Sequence, residues 1–157
     1  MVELEGRGLM DSVDTILKNS EYDYEFIFHE NPIFSAQEGA DYFKIELGQT
    51  APTLIIKADN SFLALIISGN RNRVDFKHIA KIVGCQHTRM ASKSEVKEIT
   101  GFDVGSVPMI GISLPFILDR KLFNYPFVYG GSGQATRTLK IDPIALQQLN
   151  QVVALMG

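Results

Sequence analysis

Two short apolar runs, residues 53–58 (TLIIKA) and 62–68 (FLALIIS), are joined by Asp59-Asn60. Runs of this length and character read as strands, and an Asp-Asn pair between them is hairpin chemistry. The chain is thereby committed to a sheet, and the other segments are placed around it. Val13, Ile16 and Leu17 recur at helical spacing between Asp11 and Lys18. Residues 24–28 are aromatic and β-branched and predict a strand. Ser35-Ala36-Gln37-Glu38 is a capping box that opens a helix to about Phe43.

Asp75 caps a helix whose inward face is Phe76, Ile79, Ala80 and Val83, closed by Gly84. Ser92-Lys93-Ser94-Glu95 is a second capping box, and Gly101 stops the helix it opens. Residues 102–114 form a glycine- and proline-marked loop, with strands predicted at 116–118, 127–129 and 138–141. Asp142-Pro143 pairs an N-cap with proline at the first helical position, so a last helix is expected to finish the chain. No regular βαβα series appears, which predicts an α/β domain of the α+β kind: a mixed, largely antiparallel sheet surrounded by helices. A Rossmann fold is excluded, because no G-x-G-x-x-G follows a strand and opens a helix.

Length and composition narrow the class. At 157 residues, with 45% hydrophobic and 21% charged, the chain fits one soluble domain over 11–157. Residues 1–10 read as a flexible leader without a secretory pattern. No apolar run approaches the roughly 18 residues of a membrane span, so a cytoplasmic protein with no membrane partner is expected. Cys85 is alone, which excludes an internal disulfide and a cysteine metal cluster and suits a small buried hydrophobe. His29, His78 and His87 are scattered without ligand spacing, so no metal is expected.

The net charge of −3 argues against a protein that coats DNA or long RNA. It leaves room for a domain that grips only the end of an RNA. Arg71, Arg73, Lys77, Lys81, Arg89, Lys93 and Lys97 are opposed only by Asp75 and Glu95 in that stretch. They form either a solvated helix face or a phosphate-contacting patch.

Three features can carry chemistry. Gly105-Ser106-Val107-Pro108-Met109-Ile110-Gly111 is a rigid turn whose backbone N–H groups can hold a carbonyl or a developing oxyanion. Gly130-Gly131-Ser132-Gly133 allows close approach of a ligand to the backbone, or is an ordinary hairpin loop. Lys57 and Asp119 stand at strand ends, where a cation and a carboxylate can polarise an ester or simply decorate the surface. No serine or cysteine triad emerges: Ser113 lacks a nucleophile-elbow context and Cys85 lacks a base.

The run from Ser68 through Asn70, Arg71 and Arg73 to Phe76, then Ile79-Ala80-Lys81-Ile82-Val83-Gly84, resembles the YbaK and prolyl-tRNA-synthetase-associated editing domain. Ala91-Ser92, Glu95-Val96 and Ile99-Thr100-Gly101-Phe102, leading into the Gly105 loop, are similar to the same family. So are Leu114-Pro115, Leu118-Asp119, Leu122-Phe123, the Gly130 region, Asp142-Pro143, and His29 with residues 35–40 at the opening. The resemblance is collinear over roughly residues 12–150.

The resemblance implies a trans-acting hydrolase of the ester on a mischarged tRNA, working without cofactor or metal. Its partners would be the tRNA acceptor end and an aminoacyl-tRNA synthetase. Gly105 would orient the carbonyl or water, with Lys57 as the catalytic amine. Asp119, Ser106, Val107 and Pro108 would line the aminoacyl pocket, with Gly131, Ser132 and Gly133 opposite. Arg71, Arg73 and Lys77 would contact RNA, and Ile110, Phe116 and Leu118 would set pocket size.

Two positions depart from the family pattern. Pro52 stands where a lysine is usual before the first long strand, and Met109 stands where the glycine loop usually ends in proline. Lys57 matches a second family lysine of opposite strand parity to position 52. Two further readings therefore stay open: a binding module of the same fold without turnover, and a hydrolase or binder of another small acyl compound.

Overall fold

A computed structural model describes residues 13–157. The leader expected at residues 1–10, and the start of the helix expected from Asp11, lie outside them. A helical stretch over 13–18 (α1) buries Val13 and Leu17, which sit one turn apart on the same face. After β1 (Tyr24–Phe28) comes α2 (Ala36–Phe43), where the Ser35 hydroxyl accepts from the Glu38 N–H. A 3-10 turn (Leu47–Gln49) leads to the two-residue β2 (Thr50–Ala51), which Pro52 separates from β3 (Thr53–Ala58).

β3 and β4 (Ser61–Ile66) make the expected hairpin, with Asp59 in the left-handed conformation its turn demands. α3 (Phe76–Val83) starts where the Asp75 carboxylate accepts from the His78 N–H and ends on left-handed Gly84. β5 (Thr88–Met90) precedes α4 (Lys93–Thr100), whose Ser92–Glu95 box is reciprocal and whose stop is Gly101. Then follow β6 (Phe116–Asp119), a 3-10 turn (Arg120–Asn124), β7 (Val128–Gly131) and β8 (Arg137–Ile141). α5 (Pro143–Leu149) and β9 (Val152–Met156) complete the order.

The single mixed sheet expected from the sequence resolves into two mixed sheets. One has the order β1-β8-β7-β2 and the other β5-β3-β4-β6-β9. Pro52 lies where the chain passes from one sheet to the next: its nitrogen has no hydrogen to donate, while its carbonyl accepts from the Ile67 N–H. Among the described residues, four of the seven strand pairs are antiparallel and three parallel.

The chain also does not finish on a helix. α5 ends at Leu149, and the β-branched, apolar run from Val152 pairs parallel with β6. The main core lies between the two sheets, joining Ile55, Ile66, Phe116 and Leu118 of one to Val128, Leu139 and Ile141 of the other. The opposite face of the five-stranded sheet packs Ile56, Leu65 and Ile117 against Ile79 of α3. Covered on both faces, β3 and β4 are near-continuously apolar for that reason.

At the end of β6, Asp119 is fully buried. Its carboxylate accepts from Arg71 Nε at 2.7 Å and Nη2 at 2.9 Å, and from the backbone N–H groups of Ser68 and Lys121 at 3.0 Å each. One side chain thus ties together β6, the loop after β4 and the 3-10 turn. Burial alone would push the carboxyl up; the guanidinium and the two N–H donors outweigh it and hold it below the usual range. Because the folded-state value is depressed, the resulting stability is complete above the unfolded value near pH 4 and is lost as pH falls through the folded value. Asp119→Asn should lower the unfolding free energy by about 3–5 kcal/mol, since Arg71 loses its charge partner. Denaturant titrations across pH should show a flatter acid limb in the variant than in the wild type.

Candidate functional site

A cleft of about 190 Å³ opens beside the four-stranded sheet, between β7, β8 and the start of α2. A single water needs roughly 10–15 Å³ on that measure, so a group of amino-acid size fits. The two glycine-rich stretches meet at its edge. Met109 N–H donates to the Gly131 carbonyl at 3.1 Å, and Gly133 N–H donates to the Ser106 carbonyl at 2.9 Å. A Cβ on Gly131 would collide with the Val107 carbonyl, and one on Gly130 would lie 2.6 Å from the Ala51 oxygen and the Met109 sulfur. These glycines are therefore required by backbone-to-backbone contact.

Gly105 is different. Its φ of +90° demands glycine, yet a Cβ there would touch nothing within 4 Å. The turn faces open space and lines the cleft, with the rest of its loop braced from behind by β7. Asn150 anchors the loop's other end, its Nδ2 donating to the Met109 carbonyl at 2.8 Å.

The facing wall comes from residues outside the glycine-rich stretches. His29, 8% exposed, places Nδ1 2.7 Å from the Asn31 carbonyl and Nε2 2.9 Å from the Thr138 hydroxyl. Phe43 packs on Tyr129 with ring centroids 5.1 Å apart, and Phe34, 83% exposed, stands at the rim. Strand alternation was the available signal for Thr138, which lies between inward-facing Arg137 and Leu139 on β8. His29 belongs to the opening stretch that resembles the editing-domain family, but nothing in its sequence neighbourhood points to Thr138 as its partner.

Of the residues expected at the site, the cleft brings together Gly105 and Gly131. Val107, Pro108 and Ser132 are buried, and Ser106 meets the site only by bracing Gly133. The Ser132 hydroxyl is engaged by the Arg137 carbonyl. Ile110, Phe116 and Leu118 are core residues with no exposure, so they do not shape the cleft wall.

Asp119 and Arg71 are each other's partners, as described above, which removes the carboxylate from the aminoacyl pocket and most of the guanidinium from RNA. Lys57 points toward α4, 3.9 Å from Glu95 and over the Phe62 ring. The Glu95 carboxyl is itself held down to about 2, first by the Arg89 guanidinium and then by the Ser92 N–H. Lys57 stands five residues past Pro52, on the order of 16 Å along an extended strand. No lysine lines the cleft; Pro52 does.

Arg73 and Lys77 are exposed. The loop that carries Arg73 and leads into α3, the helix of Lys77, begins beside the cleft, because Gly69 packs directly on the Thr50 side chain and Ala36, both of which line it. Among the described residues, no group of three or more His, Cys, Asp or Glu side chains converges, and no helix is long and apolar enough to cross a membrane.

The contact between Gly131 and the Val107 carbonyl can be tested by itself. Gly131→Ala should force the 105–111 loop off β7 and cost about 1–3 kcal/mol, as overpacking does. A thermal melt should read this as a drop of several degrees.

Comparison with known proteins adds four findings. Residues 30–149 match the aminoacyl-tRNA editing domain. A proline–tRNA ligase of Solidesulfovibrio magneticus is 30% identical over 111 residues, which cover 69% of this chain and 19% of the ligase. The chain thus spans about a fifth of the length of that relative. A solved structure of a candidate trans-editing enzyme for prolyl tRNA synthetase is 28% identical with a TM-score of 0.79, covering 94% of this chain and 93% of that one. A second solved protein, described only as hypothetical, has the same fold at a TM-score of 0.84 and 24% identity, over 92% and 97% of the two chains. With most of its length matched, this chain belongs to the aminoacyl-tRNA editing domain family.

Proposed function

We propose that this chain hydrolyses the ester that joins an amino acid to the terminal ribose of a mischarged tRNA. The observation that carries the reading is the Gly105 turn: glycine by backbone conformation, open to the cleft, and held by β7 behind it. Water attacks the ester carbonyl carbon, the carbonyl electrons move onto oxygen, and backbone N–H groups of the turn stabilise that oxyanion. The tetrahedral species collapses by breaking the bond to the ribose oxygen, which takes up a proton, leaving a free amino acid and an intact tRNA. This sequence needs no metal and no cofactor.

The family membership and the candidate trans-editing neighbour support the substrate class. Exposed Arg73 and Lys77, on a segment that starts beside the cleft, supply charge for the RNA end. An aminoacyl-tRNA synthetase is the natural partner, and the cytoplasm is the compartment this substrate requires.

One observation favours a second reading, a binding module without turnover. The cleft wall has Pro52 where the family resemblance expects an amine, and Lys57 is paired elsewhere. The two readings part on release of amino acid from a panel of mischarged tRNAs. Hydrolysis by the wild type, slowed by about 10²–10³ in Gly105→Ala, supports the enzyme. Retained tRNA with no release, and release gained in Pro52→Lys, supports the binding module. In either case Arg73→Glu with Lys77→Glu should weaken tRNA binding and flatten its salt dependence by roughly one unit of log–log slope per charge removed.

A further inference from the structure

The hydrogen bonds of His29 determine which way the Thr138 hydroxyl points. The Asn31 carbonyl can only accept, so the Nδ1 atom 2.7 Å away carries the hydrogen. In the neutral ring Nε2 is then a bare acceptor, and the Thr138 hydroxyl 2.9 Å away must donate to it. A hydroxyl has one hydrogen. With that hydrogen committed to His29, Thr138 offers the cleft lone pairs only.

Thr138 is also well placed to use them. It lines the cleft, and it lies directly across the β7–β8 ladder from Gly131, the residue on which the Gly105 loop is seated. On the proposed reading the backbone N–H of Gly105 supplies a donor at one edge of the cleft, since the Ser106 and Met109 N–H groups are spent on the Asp103 and Gly131 carbonyls, and Thr138 supplies an acceptor one strand spacing, about 4.8 Å, beyond Gly131. An α-amino ester carries the matching pair, an accepting carbonyl and a donating ammonium on adjacent carbons.

We propose that Thr138 is the specificity residue that receives the α-ammonium of the bound amino acid, and that His29 is the positioning residue that keeps its hydroxyl an acceptor. This inference rests on the aminoacyl-ester reading of the cleft, but it concerns recognition and so can be judged without turnover.

The test is the affinity of the whole chain for adenosine carrying an amide-linked amino acid, and for the same compound with the amine replaced by hydrogen. Amide linkage prevents hydrolysis, so loss of catalysis and loss of recognition are read separately. The wild type should prefer the amine-bearing compound on the order of tenfold to a hundredfold, the worth of one charge-assisted hydrogen bond. Thr138→Val, which keeps shape and suits a strand, should reduce that preference to near unity, and Thr138→Ser should restore most of it. Equal affinity of the wild type for the two compounds, no binding of either, or an undiminished preference in Thr138→Val would each overturn the proposal.

An independent measurement reads the ring directly. Long-range proton–nitrogen NMR of His29, at a pH where it is neutral, should find hydrogen on Nδ1 and none on Nε2. The reverse tautomer overturns the assignment of roles.

Discussion

The cleft exists because two backbones touch. Where β7 meets the 105–111 loop there is no room for a side chain at Gly131, and the carbonyls and N–H groups of the two segments bond across the gap. Every other feature of the site is placed relative to that seam. It turns the Gly105 corner outward, and it seats Val107, Met109 and Ile110 in the core. It also fixes how far the turn lies from Thr138 on the next strand. A loop of glycines and one proline would otherwise pay a large entropic cost for a single conformation. Here the loop is held at Ser106 by the Gly133 N–H, and at Met109 by Gly131 of β7 and the Asn150 amide at the end of α5.

A second anchor lies away from the cleft. Asp119 and Arg71 show how a charged pair can be mistaken for chemistry. A carboxylate at a strand end beside a basic run has the sequence character of a binding site, yet four donors converge on it and no surface of it remains exposed. Its work is to join segments distant in sequence. The guanidinium, rather than meeting a phosphate, neutralises a buried charge, which is the condition for that carboxylate to be buried at all.

Much of the architecture was legible because it is locally encoded. The Asp59-Asn60 hairpin, the Asp75 and Ser92 caps, and the glycine stops at positions 84 and 101 depend on residues within a few positions of one another. What escaped depends on distant partners. β5 is three residues long and exists as an edge of β3. β9 is strand because β6 is free to pair with it, and a capped helix just before it drew the helical expectation onward. The site divides in the same way. The two glycine stretches announce themselves, whereas the roles of His29 and Thr138 follow only from a contact across 109 positions of sequence. Lys57 is a candidate by its match to a second family lysine, and strand parity directs it to the face opposite position 52.

Pro52 joins these threads, since it marks both the change of sheet and the missing amine. A proline there narrows the unfolded chain as well as the folded one, and a compatible proline stabilises by roughly 0.4–1 kcal/mol through that effect. The corner between the sheets is stiff because of its ring, and a lysine in its place would bring an amine together with a free N–H and a looser φ. In this protein the strength of the joint and the reactivity of the cleft compete for one residue, so a gain in either is expected at the expense of the other.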